Sequence, residues 1–356
     1  MIKTFEEVFE DKTKYGTKIK TEQYQKEGKN IIIDQGKEII SGYTDIQEGL
    51  FEDVPVIIFG DHTRIIKYVD RPFFLGADGV KILKSKFKDA NYKYLYYALR
   101  NIKIPNTGYN RHFKWLKEVE IEYPEIEIQT NIVKVLDKIV HIMNVKRKEI
   151  NNLNTLIKSR FTEMFGDPVS NSYDLPEATL SDLGEFGRGV SKHRPRNDIK
   201  LLGGKYPLIQ TGDIANAGLY ITSYSNTYSE LGLRQSKMWD KGTLCITIAA
   251  NIAKTAILEF DACFPDSVVG FIANERTNNI FIHYWFSFFQ AILELQAPES
   301  AQKNINLKIL SELKVIVPEK RKQDEFASFV KLIDKLKSHF LKLPVFPGLS
   351  VVKYVY

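Results

Sequence analysis

The chain has 356 residues, few cysteines and no long apolar segment. Cys245 and Cys263 lie in apolar strand-like segments without metal-ligand spacing, which indicates buried free thiols in a reducing compartment. The longest apolar stretch, 280–295, contains a histidine, a glutamine and a glutamate, so it is too short and too polar to cross a bilayer. The N-terminal MIKTFEEVFEDKTK lacks the apolar core of a signal peptide. We therefore expect a cytoplasmic protein without a membrane contact.

Sequence motifs of catalysis and metal binding are also missing. There is no Asn/Asp-Pro-Pro-aromatic tetrapeptide of amino-methyltransferases, no glycine fingerprint for a cofactor and no G-x-S-x-G. The phosphate-loop template comes nearest at 248–255, where Ile248 and Ala253 replace its glycines. The six histidines show no metal-binding spacing, although a triad of distant residues stays open. We expect no catalytic site and no metal site in this chain.

Basic residues are present in excess and are concentrated in two places. The formal net charge is +6, which alone indicates a polyanion partner only weakly. Between Lys81 and Lys117 there are ten lysines and arginines and one acid, and between Phe186 and Lys205 there are six and one. One such stretch is typical of a solvated surface. Two stretches in matching halves favour nucleic acid as the ligand.

The sequence contains an internal repeat. Residues 115–139 align with 309–333 at an offset of 194, which pairs Pro124 with Pro318 and Gln129 with Gln323. Upstream, the aromatic segments 92–99 and 282–289 align at an offset of 190, and 31–36 aligns with 207–212 at 176. Convergent amphipathic helices would not share the preceding strand, proline and glutamine. The chain is therefore two copies of a strand-rich unit followed by a proline and a helix.

The predicted fold class is α+β, with two repeated mixed α/β units joined by long helices. Short β-rich runs at 54–59, 64–69, 244–248 and 255–260 are separated by Gly, Asn and Asp, and the aromatic segments read as buried helices. The predicted boundaries are 1–124 and 166–318 for the two units, 125–165 and 319–342 for the two helices, and 343–356 for a tail.

Both long helices carry an apolar stripe at three- and four-residue spacing. From Glu125 to about Glu163 no glycine or proline intervenes, giving a helix of about 58 Å at ~1.5 Å per residue. The second runs from Glu319 to about Phe340. The stripes predict an antiparallel coiled coil. The predicted packing residues are Ile132, Leu136, Ile139, Met143, Ile150, Leu153, Ile157, Phe326, Val330, Ile333, Leu336 and Phe340.

Polar clusters at the ends of predicted strands are the candidate binding sites. Arg and Lys read guanine, Asn and Gln read adenine, and Asp reads cytosine, but the same residue types also stabilise loops in proteins that never bind DNA. The clusters lie in or near the basic stretches, which favours contact for each cluster as a whole. The candidates are Tyr43, Asp61, His62, Thr63, Arg64, Asn106, Tyr109, Asn110, Arg111, His112 and Lys114, then Lys192, Arg194, Arg196, Gln210, Thr211, Asp213, Asn251, Lys254, Gln302 and Lys303.

Over essentially its whole length the chain resembles the specificity subunits of Type I restriction–modification systems. The resemblance is carried by IIIDQGKEIISGYTD, VPVIIFGDHTRIIKYVDRPFFLGADGVKIL, the P-x(4)-Q entry to each helix and SRFTEMFGDP. It implies two target-recognition domains, separated and followed by spacer helices, that read a bipartite sequence in double-stranded DNA. The second half has IAANIAKTAIL where the first has FGDHTRIIKYV, which implies two different half-sites. The tail departs from a spacer helix because Pro344 and Pro347 break it.

The resemblance also implies partners and cofactors. Two modification (methyltransferase) subunits would supply S-adenosylmethionine-dependent methylation, and motor–endonuclease subunits would add cleavage that requires ATP and Mg²⁺, with none of these cofactors on this chain. Two alternatives stay open. A coiled-coil scaffold or adaptor shares the helices but has no use for two basic lobes, and a stand-alone DNA-modifying enzyme would need chemistry by this chain alone.

Overall fold

The computed structural model describes residues 1–196, 198–249, 252–296 and 306–341. These residues form two compact units, the first from Met1 to Val145 and the second from Lys146 to Leu341, the last described residue. The division falls within a helix of 40 residues, so each unit includes half of that helix. Both units mix short strands with helices, in agreement with the predicted fold class.

The first unit contains three sheets, of two, three and four strands. Its elements are β1 (Ile2–Thr4), α1 (Phe5–Val8), β2 (Phe9–Asp11), β3 (Asn30–Ile33), β4 (Gly42–Thr44), β5 (Val56–Gly60), β6 (Ile66–Val69), β7 (Phe73–Leu75), β8 (Val80–Ser85), α2 (Tyr92–Asn101), α3 (Phe113–Lys117), β9 (Glu120–Glu122) and the long α4 (Ile126–Phe165). The strand orders are β2-β8-β5-β6, β4-β3-β7 and β1-β9.

The second unit repeats this plan with more strands. Its elements are β10 (Glu177–Thr179), β11 (Gly184–Arg188), β12 (Leu202–Leu208), α5 (Thr211–Asn216), β13 (Tyr220–Ile221), β14 (Asn226–Tyr228), α6 (Glu230–Arg234), β15 (Met238–Trp239), β16 (Leu244–Thr247), β17 (Thr255–Leu258), β18 (Ala262–Cys263), β19 (Val268–Ala273), α7 (Asn279–Gln296), α8 (Leu307–Glu312), β20 (Lys314–Ile316) and α9 (Lys320–Leu341). The orders are β11-β19-β16-β17-β13, β14-β12-β18-β15 and β10-β20.

The sheet topology confirms the internal repeat. The antiparallel pair β1–β9 corresponds to β10–β20, and the parallel pair β3–β7 corresponds to β12–β18. The helix entries share one hydrogen bond. Buried Gln129 donates from Nε2 to the carbonyl of Pro124 at 2.8 Å, and buried Gln323 donates to that of Pro318 at 2.8 Å. Each glutamine thus donates to the carbonyl of the proline at the entry to its helix.

The apolar stripes of α4 and α9 contribute to the cores of the units as well as to helix pairing. In the first unit Leu136 is buried in the core cluster that contains Tyr94 and Leu95 of α2. The prediction that Leu136 packs between the two long helices is therefore wrong. Leu136 packs in the core of the first unit, where α2 covers it. In the second unit Ile157, Phe326, Val330 and Ile333 share one core cluster, with Leu153 packed at its edge.

The remaining predicted packing residues are less buried. Ile132 is 36% exposed and Leu336 is 44% exposed, so the prediction that Leu336 is buried in a helix–helix seam is wrong for the described residues. Ile139, Met143 and Ile150 are half-buried. The Phe340 side chain lies outside the described part of the chain. The aromatic helices are core elements as predicted, since Leu95, Leu99, Trp285 and Phe286 are fully buried. The free thiols of Cys245 and Cys263 are buried, also as predicted.

Burial lowers the pKa of His283 in α7. Its Nδ1 lies 2.9 Å from the hydroxyl of Thr255, and desolvation, followed by the nearby charge of Lys337, lowers its pKa to about 4. An unfolded histidine titrates near 6.5. The unfolded chain therefore binds more protons between these values, and the stability is fully present above pH 6.5 and is lost as the pH falls toward 4.

We expect His283→Gln to reduce the acid sensitivity of the second unit. The wild-type free energy of unfolding should fall by at most about 1.4 kcal/mol per pH unit for this proton between pH 6.5 and 4, and the variant should lack that component. Urea unfolding at several pH values measures the slope. His141→Gln, an exposed histidine on α4, is the control and should leave the slope unchanged. Equal slopes in wild type and His283→Gln would disprove the assignment.

No helix among the described residues is long and apolar enough to span a bilayer.

Candidate nucleic-acid interface

Three loops of the first unit meet at Gln35, which follows β3. Its Nε2 donates to the carbonyl of Asp78 at 3.1 Å, and its Oε1 accepts from the amide of His62 at 3.1 Å. Its own carbonyl accepts from the Thr63 hydroxyl at 2.7 Å. A single side chain thereby connects the loops after β3, β5 and β7. Gln35 was absent from the predicted site, although the segment 31–36 had been singled out by the repeat.

Asp61 and His112 attach a fourth segment to this group of loops. The carboxylate of Asp61 accepts from the amide of Phe113 at 2.7 Å, and its carbonyl accepts from the amide of His112 at 2.8 Å. Asp61 is 3% exposed and His112 is 0% exposed. The prediction that they contact a ligand is corrected, because burial and these bonds make them supports of the loops.

Tyr109 and His62 present an aromatic stack beside these supports. Their rings are 4.6 Å apart at an interplanar angle of 8°, and Tyr109 is 86% exposed. The buried Nδ1 of His62 has no hydrogen-bond partner among the described residues. Gly79 permits this position of the ring. Its φ is +80°, and a Cβ there would lie 2.8 Å from Cδ2 of His62. An exposed ring on a rigid support can stack on a base or a sugar.

A basic groove of about 1000 Å³ lies next to the stack. Five basic residues line it, and no acidic residue of the described chain does: Lys37, Arg64, Lys67, Arg100 and Lys103. Lys67 is buried and donates to backbone carbonyls of the loop after β3, and Arg100 donates to the Tyr96 hydroxyl. Desolvation lowers the pKa of Lys67, which Asp34 partly offsets. Lys37 and Lys103 are exposed and give the groove its accessible charge.

Arg64 connects the groove to the turn between β5 and β6. It has a φ of 61°, and its Nη1 donates to the carbonyl of Ile104 at 3.3 Å. Its buried Nε has no partner among the described residues. The other predicted residues of the first unit are Tyr43, half-buried in β4; Asn106 and Asn110, which hold the exposed turn at Gly108; Arg111, exposed; and Lys114, exposed over the ring of Trp115 at 4.2 Å.

In the second unit Asp266 contacts three arginines of the basic stretch. A carboxylate oxygen of Asp266 lies 2.6 Å from Nη2 of Arg196 and the other lies 3.7 Å from Nη2 of Arg194, while its carbonyl accepts from Nε of Arg188. Asp266 was missing from the predicted site. The positive charge predicted here is therefore partly neutralised by Asp266.

A small polar cavity of about 220 Å³ lies beside Arg196. Gln210 and Thr211 line it together with Ser191, whose buried Oγ has no partner among the described residues. Asp213 is the third residue after Gln210 and accepts from its amide at 2.8 Å, which stabilises the start of α5. Asp213 thus has a structural role that the polar cluster alone did not indicate.

Two other predicted residues of the second unit, Lys254 and Lys192, also have hydrogen-bond partners. Lys254 donates from Nζ to Oε1 of Gln290 at 3.0 Å, and it follows Ala253, whose φ is 58°. Lys192 is exposed, and its amide donates to Oε1 of Gln235 at 2.7 Å. Asn251, Gln302 and Lys303 lie outside the described residues.

Comparison with known proteins gives consistent matches. A family model described as the Type I restriction modification DNA specificity domain matches residues 1–155 and again residues 174–342. The Type I restriction enzyme EcoR124I/EcoR124II specificity subunit of Escherichia coli is 23% identical over 353 residues, 92% of this chain and 84% of that protein. The crystal structure of a Type-I restriction-modification S subunit from M. genitalium has a TM-score of 0.58 at 18% identity, covering 96% of this chain and 91% of that one.

Proposed function

The chain belongs to the Type I restriction modification DNA specificity family, and from this premise we propose how its two units read DNA. It is the specificity subunit of a Type I restriction–modification system, the role given in the names of its relatives. Each unit reads one part of a bipartite target in double-stranded DNA. The observation that carries the proposal is the duplicated sheet order, in which strands of both units lead into polar loops next to clustered arginines and lysines.

In the first unit, base reading is assigned to the exposed side chains on the loops that Gln35 and Asp61 hold. Asn106, Asn110 and Arg111 offer amide and guanidinium groups for base edges in the major groove. Tyr109 offers a ring supported by His62. Rigid loops favour specificity, since each reading group is held before DNA arrives.

The basic groove is assigned to the phosphate backbone. Phosphate contacts fix register and orientation without carrying sequence information. The double variant Lys37→Gln, Lys103→Gln should weaken binding to target and non-target DNA by similar factors. Each lost contact should also reduce the slope of log K against log salt by about 0.9. Fluorescence anisotropy titrations at several salt concentrations measure both effects.

The matched control for this experiment is Lys134→Gln, Lys138→Gln, two exposed lysines of α4 that do not line the groove. We expect the control to keep the wild-type slope. A groove variant that loses affinity for the target alone would contradict the assignment, because it would place base contacts where phosphates are proposed.

Partner subunits are proposed to supply all of the chemistry. Two methyltransferase subunits would dock on the long helices and bring S-adenosylmethionine, and motor–endonuclease subunits would bring ATP and Mg²⁺. The chain itself would be non-catalytic and act in the cytoplasm. A coiled-coil scaffold that ignores DNA sequence would use the same helices, but it gives no reason for Tyr109 and the basic groove to be exposed.

Genome-wide mapping of methylated adenines tests the proposal. Cells containing the methyltransferase subunits should methylate one bipartite sequence with this chain present and should not methylate it without the chain. Methylation that is unchanged by removal of the chain would refute the proposed role. Methylation by the purified chain alone would refute its non-catalytic character.

A further inference from the structure

The polar cavity beside Arg196 lies where two parallel strands of the second unit end. Strands β12 and β18 pair in parallel. Gln210 and Thr211, which follow β12, and Pro265 and Ser267, which follow β18, line the cavity. Parallel strands bring their carboxyl ends to the same edge of a sheet, so these two loops meet there. The cavity is therefore enclosed by loops that the topology itself brings together next to the basic stretch.

The first unit bridges the equivalent pair of loops with one side chain. Its parallel pair β3–β7 corresponds to β12–β18, and Gln35 aligns with Thr211 at the offset that pairs 31–36 with 207–212. Gln35 reaches from the loop after β3 to the carbonyl of Asp78, 3.1 Å away in the loop after β7. Threonine has a shorter side chain than glutamine. The shared scaffold thus carries a bridging side chain in the first unit and a cavity in the second.

The lining of the cavity is polar, and its positive charge is offset. Ser191 is 7% exposed, and its Oγ has no hydrogen-bond partner among the described residues. Oδ1 of Asp266 lies 2.6 Å from Nη2 of Arg196, which offsets the charge of that arginine. Hydroxyl and amide groups both donate and accept hydrogen bonds. The other groups of this kind in the lining belong to Gln210, Thr211 and Ser267.

A DNA base fits this lining better than a phosphate does. The oxygens of a phosphate group only accept hydrogen bonds and carry negative charge, which the carboxylate of Asp266 repels. A base is neutral, and its edge offers both donors and acceptors. Buried Leu208 and Tyr228 add apolar surface for the flat faces of a ring. The volume of about 220 Å³ lies below the ~300 Å³ of the smallest pockets for drug-sized ligands, which suits a single heterocycle.

We propose that this cavity holds one base of the half-site read by the second unit, rotated out of the DNA stack. A stacked base presents only its edge in the major groove, so it has to leave the stack to enter a recessed cavity. The inference rests on the proposed function, since it requires that the second unit reads DNA. It adds a base-binding pocket to the second unit at the position that Gln35 occupies in the first.

A mismatch scan of the target tests the pocket in the complex with the methyltransferase subunits. Each base of the second half-site is replaced in turn on one strand only, and the affinity is measured by fluorescence anisotropy. A mismatch opposite the rotated base should raise the affinity by about tenfold, because that base pair no longer has to be broken. Positions of methylated adenines are left out, since a methyltransferase rotates its own target base out of the duplex.

Two variants that fill the cavity connect this effect to the pocket. Thr211→Gln introduces the residue type that bridges the loops of the first unit, and Ser267→Gln fills the cavity from the other loop. Both should abolish the tenfold gain and leave the affinity for non-target DNA unchanged. The matched control Thr222→Gln alters an exposed threonine of the same unit outside the cavity and should keep the gain. Urea unfolding followed by tryptophan fluorescence verifies that the variants are folded.

The outcomes separate this inference from the proposed function. A complex that prefers its target but binds no mismatch more tightly would refute the pocket alone. A gain that survives in both variants would also refute it. Equal loss of affinity for target and non-target DNA in the variants would assign the cavity to a phosphate and overturn the inference. A complex without any preference for its target would refute the proposed function, and the inference with it.

Discussion

Replacing Phe161 with alanine is expected to lower the free energy of unfolding of the second unit by about 3–5 kcal/mol. Phe161 is fully buried, and its ring contacts those of Phe165, Phe281, Phe288 and Phe326 at centroid distances of 5.0–5.4 Å. Removing the ring leaves a cavity at the point where α4, α7 and α9 meet. Rigid secondary structure on all sides limits how far neighbours can collapse into it.

Urea unfolding followed by tryptophan fluorescence measures this effect in the intact chain. Of the three tryptophans, Trp115 reports on the first unit, and Trp239 and Trp285 report on the second. In a Trp115→Phe background the tryptophan fluorescence therefore reports on the second unit alone. The control Leu156→Ala removes a half-exposed apolar side chain from the same helix and should cost less than about 1 kcal/mol. A comparably small loss for Phe161→Ala would contradict the central position of this ring.

The two long helices were predictable because local rules and tertiary packing agree in them. The observed limits, Ile126–Phe165 and Lys320–Leu341, lie within two residues of the predicted ones. Absence of glycine and proline, together with a regular apolar stripe, fixes a helix almost without tertiary information. Phe161 and Phe165 continue that stripe at four-residue spacing. The sequence pattern therefore also supports Phe161 and Phe165 as packing residues, although the predicted set stops at Ile157.

The loops were much less predictable, because the sequence does not tell whether a polar side chain faces a ligand or the backbone of another loop. Asp61 and His112 are the residue types of a binding site, yet both are buried supports. Gln35 connects loops up to 43 positions apart, and Asp266 pairs with arginines 70 or more positions away. Such pairings depend on which sheet edges the topology brings together. A single sequence does not indicate directly which distant residues form these pairs.

Exchanging the first unit for that of another specificity subunit is expected to change one half-site and leave the other intact. Each base pair that is no longer matched costs about 1–3 kcal/mol, so the loss of two should lower affinity for the original target by a factor of about 30 to 10⁴. Methylation mapping of the reconstituted complex gives the new sequence directly. Exchange of residues 174–342 is the reciprocal control and should alter the other half-site.

The point of exchange decides whether such a chimera is stable. A cut after Glu122 keeps the β1–β9 pair within the donor piece, because Ile2 pairs with Glu122. It separates α2 from its own α4, however. Leu136 and Val133 belong to the core of the first unit, and the Asp137 carboxylate accepts from Nζ of Lys93 at 2.7 Å and from the Tyr97 hydroxyl at 2.8 Å. A cut after Val145 retains these contacts.

We therefore expect both chimeras to acquire the donor half-site, and the one cut after Val145 to be the more stable by several kcal/mol, as two core side chains and a partly buried carboxylate keep their native partners. Thermal unfolding of the two proteins measures the difference. Equal stability would show that α4 packs on a foreign α2 as well as on its own. Each unit closes its own sheets within its own residues, so we expect the two units to read DNA independently. A change in both half-sites would contradict this expectation.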